Sequence, residues 1–313
     1  MHSDLRILTG NAHPTLAKAI CKHLGVTLTP AEVFQFSNEN IFVRLLESIR
    51  GKDTFIIQPF SSPVNDHIME LLVMLDTCKR ASAGHITAVI PYYSYGRSDK
   101  KDQPRVPITA RLLADMIEIA GADRWVTIDL HAGQIQGFYK IPGDSLTALH
   151  IICKHIRAKN LNGTVVTTDL GFAKGGRNYA EALGFPLAFV EKRRVGAAGT
   201  REALTLIGSV AGRDVLIVDD LVDTAGSVQQ AVEIVRAHGA GDVYLAFTHA
   251  VLSPPAIERL GSLGLKEIIT TDTLPVAPND RLPNMTVLTV AELLGEVIIR
   301  SHEGRSVGEL FNE

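Results

Sequence analysis

The chain has 313 residues, 46% hydrophobic and 21% charged, with a formal net charge of −3. That is an ordinary globular composition, long enough for two cores, and its charge offers nucleic acid or a membrane surface nothing to attract. No stretch approaches the roughly eighteen uninterrupted apolar residues of a membrane helix, and Met1-His2-Ser3-Asp4 lacks a basic region before an apolar one, so neither span nor secretory leader is expected.

In chain order, apolar periodicity predicts a helix over Thr15–His23, a strand over Thr54–Ile57 and a helix over Ser61–Ala81. The segment Pro91–Ile108, the most polar and basic of the first half, reads as a long loop, either solvated or functional. A helix over Thr109–Ala120 and a strand over Trp125–Leu130 follow. His131 comes directly after that strand, where open α/β sheets bind ligands, so it is a candidate for a triphosphate or its metal; a structural role is the alternative. Cys21, Cys78 and Cys153 have no CxxC spacing and lie in apolar helical contexts, as buried free thiols in a reducing cytoplasm would.

In the second half, Thr167-Thr168-Asp169-Leu170-Gly171 ends a strand, making Asp169 either a Mg²⁺ ligand or a helix N-cap. The predicted strand Leu187–Glu191 ends at Lys192-Arg193-Arg194, and Val195–Thr200 beyond it is too small and glycine-rich to pack. Three cations anchoring such a loop can close over a polyphosphate. The apolar run Val215–Val218 then reads as a strand buried on both faces, ended by Asp219 and Asp220. A turn of Asp223, Thr224, Ala225, Gly226 and Ser227 leads into a predicted helix over Val228–His238. Small residues at a helix N-terminus make a phosphate cradle, whereas the carboxylates suit sugar hydroxyls or a metal. Together they point to a phosphorylated sugar.

The halves echo each other. Gly51-Lys52-Asp53 before Thr54–Ile57 resembles Gly212-Arg213-Asp214 before Val215–Val218, and Leu24-Gly25 resembles Leu183-Gly184. Gly121 before Trp125–Asp129 is echoed by Gly264 before Ile268–Asp272, at a shorter spacing that assigns the first half extra residues near Pro91–Ile108. Strands alternating with helices in both halves imply two α/β domains of like fold, each a mostly parallel sheet flanked by helices, meeting near 148.

The run 215–227 matches the phosphoribosyl-binding signature shared by phosphoribosyltransferases and phosphoribosyl pyrophosphate synthetases. With Asn65-Asp66 before Met69-Glu70-Leu71-Leu72, Lys79–Gly84, Asp129-Leu130-His131, Gln134–Phe138 and Glu191–Arg194, the chain resembles the ribose-phosphate pyrophosphokinase family from Gly10-Asn11 to Glu309-Leu310-Phe311. The resemblance implies two phosphoribosyltransferase-like domains, 1–148 with nucleotide-binding loops and 149–313 with the ribose 5-phosphate site and catalytic loop. It implies transfer of pyrophosphate from ATP to the 1-hydroxyl of ribose 5-phosphate with Mg²⁺ as cofactor, in a cytoplasmic homo-oligomer, dimer-based and up to a hexamer, that borrows nucleotide-site loops between subunits.

By the same resemblance, Asp223, Thr224, Ala225, Gly226 and Ser227 hold the 5-phosphate, Asp219 and Asp220 the ribose, and Lys192 and Arg194 the transferring group. His131 and Asp169 take the metal. Phe36 lies against adenine with Asn38, Glu39 and Asn40 at its edge, and Arg97, Ser98 and His131 are near the nucleotide phosphates. Three positions depart from the family: Phe36-Ser37-Asn38-Glu39-Asn40 replaces Phe-Ser-Asp-Gly-Glu, Ser98 replaces Gln, and Asp102-Gln103-Pro104 sits in a shortened regulatory loop. The alternatives are a phosphoribosyltransferase, which the second half alone would permit, and a non-catalytic paralogue subunit, which should have lost Lys192 and Arg194.

Overall fold

The computed structural model describes residues 4–195 and 201–311. It divides into two compact units, Met1–Thr147 with Thr273–Pro275 and Thr289–Glu313, and Ala148–Asp272 with Val276–Leu288.

The first unit runs β1 (Leu5–Thr9), α1 (Pro14–Leu24), β2 (Ala31–Gln35), β3 (Ile41–Leu45), β4 (Asp53–Ile57), α2 (Val64–Arg80), β5 (His85–Ile90), α3 (Thr109–Ala120), β6 (Arg124–Ile128) and β7 (Gly143–Leu146). Strands β1-β4-β5-β6-β7 form one parallel sheet in that order, while β2 and β3 make a separate antiparallel hairpin. The core strands β4 and β5 bury nearly every residue, as strands covered by helices on both faces must. On α3 the buried Ala110, Leu113, Ala114 and Ile117 follow the helical repeat. Helix α2 starts three residues later than expected because Pro63, with no N–H and extended backbone, stands before its first turn. The strand expected over Trp125–Leu130 stops at Ile128, where Asp129 turns to φ 40.

The second unit runs α4 (Leu149–Arg157), β8 (Gly163–Thr167), α5 (Ala173–Leu183), β9 (Leu187–Val195), β10 (Arg201–Ile207), β11 (Asp214–Val222), α6 (Gly226–Ala237), β12 (Val243–Ala250), α7 (Ala256–Ser262), β13 (Glu267–Thr271) and β14 (Met285–Leu288). Its sheet has the order β10-β9-β8-β11-β12-β13-β14 and is parallel except for the β9–β10 pair. Two expected strand ends move. Strand β9 continues through Lys192-Arg193-Arg194 because β10 supplies a ladder partner as far as Val195. Strand β11 continues past the acidic pair to Val222 because Asp219, Leu221 and Val222 pair with Phe247, His249 and Ala250 of β12. Helix α6 accordingly begins at Gly226, two residues before the expected start.

The sequence echo is a backbone echo. Gly51 and Gly212 both adopt φ 68, and Gly25 and Gly184 cap α1 and α5 at φ 67 and φ 70. Only glycine takes these left-handed angles without cost. The Lys52 carbonyl accepts from Gly84 N as that of Arg213 accepts from Gly241 N, both at 2.8 Å.

The last helix, α8 (Ala291–His302), belongs to the first unit, not to the domain 149–313 that the sequence suggests. Gly295 lets it approach α1 so closely that a Cβ there would lie 2.6 Å from His23 Cδ2, and His302 Nδ1 pairs with Asp53 Oδ2 at 2.8 Å. An amphipathic helix shows in sequence that it covers something; which sheet it covers is a tertiary outcome.

Candidate functional site

In the second unit the carboxyl end of β8 lies beside the middle of β11, with Thr167 in register with Val218. Thr168 Oγ1 donates to Asp219 Oδ2 at 2.5 Å, and Asp219 Oδ1 accepts from Asp220 N at 3.0 Å. Asp220 is 6% exposed. Burial and the neighbouring Asp220 carboxylate push the Asp219 carboxyl up to about 8, with Asp169 adding to the same field and the Thr168 hydroxyl opposing it. An anion so placed is under-compensated, and a ligand that brings hydroxyl donors or a cation relieves it.

Asp169 is not the N-cap of α5, which is Phe172; its Oδ1 closes the turn before the helix, accepting from Gly171 N at 2.8 Å and Phe172 N at 3.2 Å. The second oxygen is the one it has to offer a cation. After Val222 the chain turns through Asp223 and Thr224 to Ala225, held at φ 61 and ψ 14, a left-handed conformation that an alanine adopts at a cost of about 1–2 kcal/mol. That turn starts α6 with no side-chain cap at Ala225 and lies at the positive end of the helix dipole. Arg259 of α7 donates to the Thr224 carbonyl at 2.9 Å, bracing the turn with a cation. The side chains of Lys192, Arg193 and Arg194, and residues 196–200, lie outside the described residues.

In the first unit the tip of the β2–β3 hairpin and the loops after β5 and β6 carry the other predicted residues. The hairpin tip 36–40 closes by Phe36 N to Asn40 O at 2.9 Å and Glu39 N to Phe36 O at 2.8 Å, with Glu39 at φ 67. Asn38 Oδ1 accepts from Asn40 N at 3.3 Å, which leaves its amide as a donor. Phe36 is 48% exposed and stands in a cluster with Phe34 and Phe42, centroids 5.0–5.6 Å apart, an apolar face turned to solvent. His131 is exposed beside Gly96, where a Cβ would lie 3.2 Å from the histidine Cβ. Arg97 and Ser98 follow in a loop that is built, not loose. Gln134 donates to the buried Asp99, Ser98 O accepts from Ala110 N at 3.2 Å, and Tyr95 OH donates to Asn65 at 2.8 Å. The hairpin tip, the Arg97 loop and His131 therefore all sit on the first unit, and Asp169, Asp219, Asp220 and the 223–227 turn all sit on the second.

A cavity of about 440 Å³ opens at the opposite, amino-terminal edge of the second sheet, between Tyr244, Glu267 and Thr286. Its charges are already matched, Glu267 with Lys159 at 2.7 Å and with His155 at 2.9 Å, so it adds nothing to the ligand set. Among the described residues no three His, Cys, Asp or Glu side chains gather to hold a metal, and no helix is long and apolar enough to cross a membrane.

A model of the N-terminal domain of ribose phosphate pyrophosphokinase matches residues 5–121, and one of the phosphoribosyl synthetase-associated domain matches 187–312. The ribose-phosphate pyrophosphokinase of Caldanaerobacter subterraneus subsp. tengcongensis is 48% identical over 311 residues, 99% of this chain and 98% of that one. The chain belongs to the ribose-phosphate pyrophosphokinase family. The relative from Clostridium acetobutylicum is 46% identical over 99% of this chain and 98% of its own. The crystal structure of phosphoribosylpyrophosphate synthetase from Mycobacterium smegmatis superposes with a TM-score of 0.92 at 41% identity, covering 96% of this chain and all of that one.

Sequence reasoning about this family member missed Thr168, Arg259 and the Glu70 cluster described below. Thr168 adjoins a predicted ligand and could have been suspected. Arg259 reaches its turn from a separate helix, and no spacing in the chain announces that.

Proposed function

We infer that the protein transfers the pyrophosphoryl group of ATP to the 1-hydroxyl of ribose 5-phosphate, giving phosphoribosyl pyrophosphate and AMP. Family membership across both units carries the reaction, and a phosphoribosyltransferase, which the second half alone would permit, does not account for the first. The residue roles rest chiefly on one observation: a strained, uncapped turn at 223–226 opening α6 directly after a strand that carries an under-compensated carboxyl at Asp219.

In this reading the N–H groups of residues 223–227 hold the 5-phosphate, and Asp219 and Asp220 accept from the ribose hydroxyls. Orienting the sugar in this way aligns its 1-hydroxyl for attack at the middle phosphorus, a reaction that needs alignment and charge neutralisation more than covalent help. Lys192 and Arg194 neutralise the charge that moves onto the departing AMP oxygen. Phe36 packs against adenine, with Asn38, Glu39 and Asn40 at its edge and Arg97, Ser98 and His131 at the phosphates. The cofactor is Mg²⁺. The donors present fit it, since Mg²⁺ keeps several waters and takes one or two protein groups plus phosphate oxygens, not an all-protein cage. His131 on the first unit and Asp169 on the second would each take such an ion, and when bound it neutralises polyphosphate charge. Three buried free cysteines suit a reducing cytoplasm, and the exposed Phe34 and Phe36 suit a homo-oligomer, dimer-based and up to a hexamer.

The test is direct. With ATP and ribose 5-phosphate as sole substrates and no base, AMP and phosphoribosyl pyrophosphate should appear in equal amounts. A transferase or a silent paralogue would release neither.

A further inference from the structure

Glu70 belongs to the Asn65–Leu72 block, yet no step of the reaction uses it. It is 5% exposed, on the buried face of α2. Three N–H donors converge on it. Its Oε1 accepts from Asn11 N at 2.5 Å and from Gln58 Nε2 at 2.7 Å, and its Oε2 accepts from Asn11 Nδ2 at 2.7 Å. The network reaches further: Gln58 Oε1 accepts from Ala12 N at 3.3 Å, and Gln58 Nε2 also donates to the His67 carbonyl at 3.2 Å. Gly10 is pressed against it, since a Cβ there would fall 2.3 Å from Glu70 Oε1 and 2.5 Å from Gln58 Oε1.

A buried carboxylate without a cation is costly, and this one is held by neutral donors alone among the described contacts. Its geometric effect is specific. The amide of Asn11, fixed by Glu70, donates on its other side to the Val33 carbonyl at 3.1 Å. Val33 is on β2, three residues before Phe36, about 10 Å along the strand. The hairpin's inner face rests on the core through Ala31, Val43 and Leu45. Apolar contact of that kind sets which face is down but tolerates sliding; a directional hydrogen bond sets where along its length the hairpin stops.

We propose that Glu70 is a positioning residue for the donor nucleotide: acting through Asn11, it fixes the β2–β3 hairpin that presents Phe36 and Asn38. The inference rests on the reading of that hairpin as the adenine-side element. It accounts for why the chain keeps an acid inside an apolar helix face, Gly at 10 and Asn at 11.

Four variants, Asn11→Ala, Glu70→Gln, their double and Phe36→Ala, test it by steady-state kinetics with each substrate varied in turn. Asn11→Ala changes an exposed side chain and leaves the fold at little risk; Glu70→Gln keeps the shape but turns an amide toward donors. Each should raise KM for ATP about tenfold while KM for ribose 5-phosphate stays within about twofold. The double variant should be no worse than the worse single one, because both break one chain of bonds. If Asn11→Ala leaves KM for ATP unchanged while Phe36→Ala raises it, the positioning role is wrong and the hairpin reading stands. An equal rise in both KM values also overturns the positioning role. If Phe36→Ala has no effect on KM for ATP, the hairpin reading itself falls and takes the inference with it.

Discussion

Gln58 and Asp219 occupy equivalent positions, one directly after Ile57 at the end of β4 and the other directly after Val218 within β11, each in a unit that starts this strand from a left-handed glycine and an Asp. Gln58 is neutral and fully buried; it helps close a carboxylate, Glu70, inside a set of N–H donors. Asp219 is itself the carboxylate, and it has a threonine hydroxyl, the N–H of its neighbour and another acid beside it. One unit thus surrounds its buried carboxylate with three N–H donors, and the other gives Asp219 two donors and a neighbouring acid. The same sheet position becomes scaffold or site according to how many donors the surrounding loops supply.

The contrast can be broken most strongly on the ligand-facing side. Lys192→Ala should lower kcat by roughly 10²–10³ with the melting temperature unchanged, because a contact completed only in the transition state costs turnover and not stability. Near-normal turnover would remove Lys192 from the reaction.

Asp219→Asn should lower kcat/KM for ribose 5-phosphate roughly tenfold or more, from the loss of a charged acceptor. It should also stabilise the ligand-free protein at alkaline pH by about a few degrees. The sign follows from the direction of the shift: the folded carboxyl titrates near 8 against an ordinary 3.8, so its contribution is full below pH 3.8 and is lost as pH rises through about 8. Thermal melts of wild type should therefore fall toward pH 8 more steeply than those of Asp219→Asn. Parallel pH profiles would show that Asp219 is compensated after all.

On the scaffold side, Gly10→Ala should cost about 1–3 kcal/mol in denaturant unfolding, since a methyl group meets two oxygens of a locked, buried network. A neutral result would mean that the network yields easily and the contrast between the units is weaker than drawn.

The smallest expected effect concerns the donor. By the resemblance, Asn38 and Asn40 stand where carboxylates are usual, and the Asn38 amide is a donor that a 6-keto purine can meet. GTP should support a measurable rate, and Asn38→Asp should lower the GTP-to-ATP rate ratio about threefold or more by replacing that donor with an acceptor-only group. Inert GTP in the wild type would refute this.

The candidate sugar-phosphate turn is legible in sequence because its parts are consecutive. An apolar run, two acids, a turn of small residues and a helix all fall within residues 215–237, and local order nearly dictates their geometry. Even there the strand end was misjudged, because β12 pairs with Asp219, Leu221 and Val222 and so carries the strand past the acidic pair, a pairing that sequence cannot show. The β2–β3 hairpin gave no strand pattern, since its Phe34 and Phe36 face solvent where alternation would place polar residues.

Left-handed glycines, buried parallel strands, amphipathic helices and the small-residue turn at 223–227 follow from neighbours within a few positions, and the chain alone determined them. The return of α8 to the first unit, the bracing of the turn by Arg259, the closure of Glu70 by Asn11 and Gln58, and the elevated titration of Asp219 were decided by the tertiary structure. Each depends on which distant groups share a small volume from which water is excluded, and there a single donor more or fewer determines whether a charge is settled or left for a ligand.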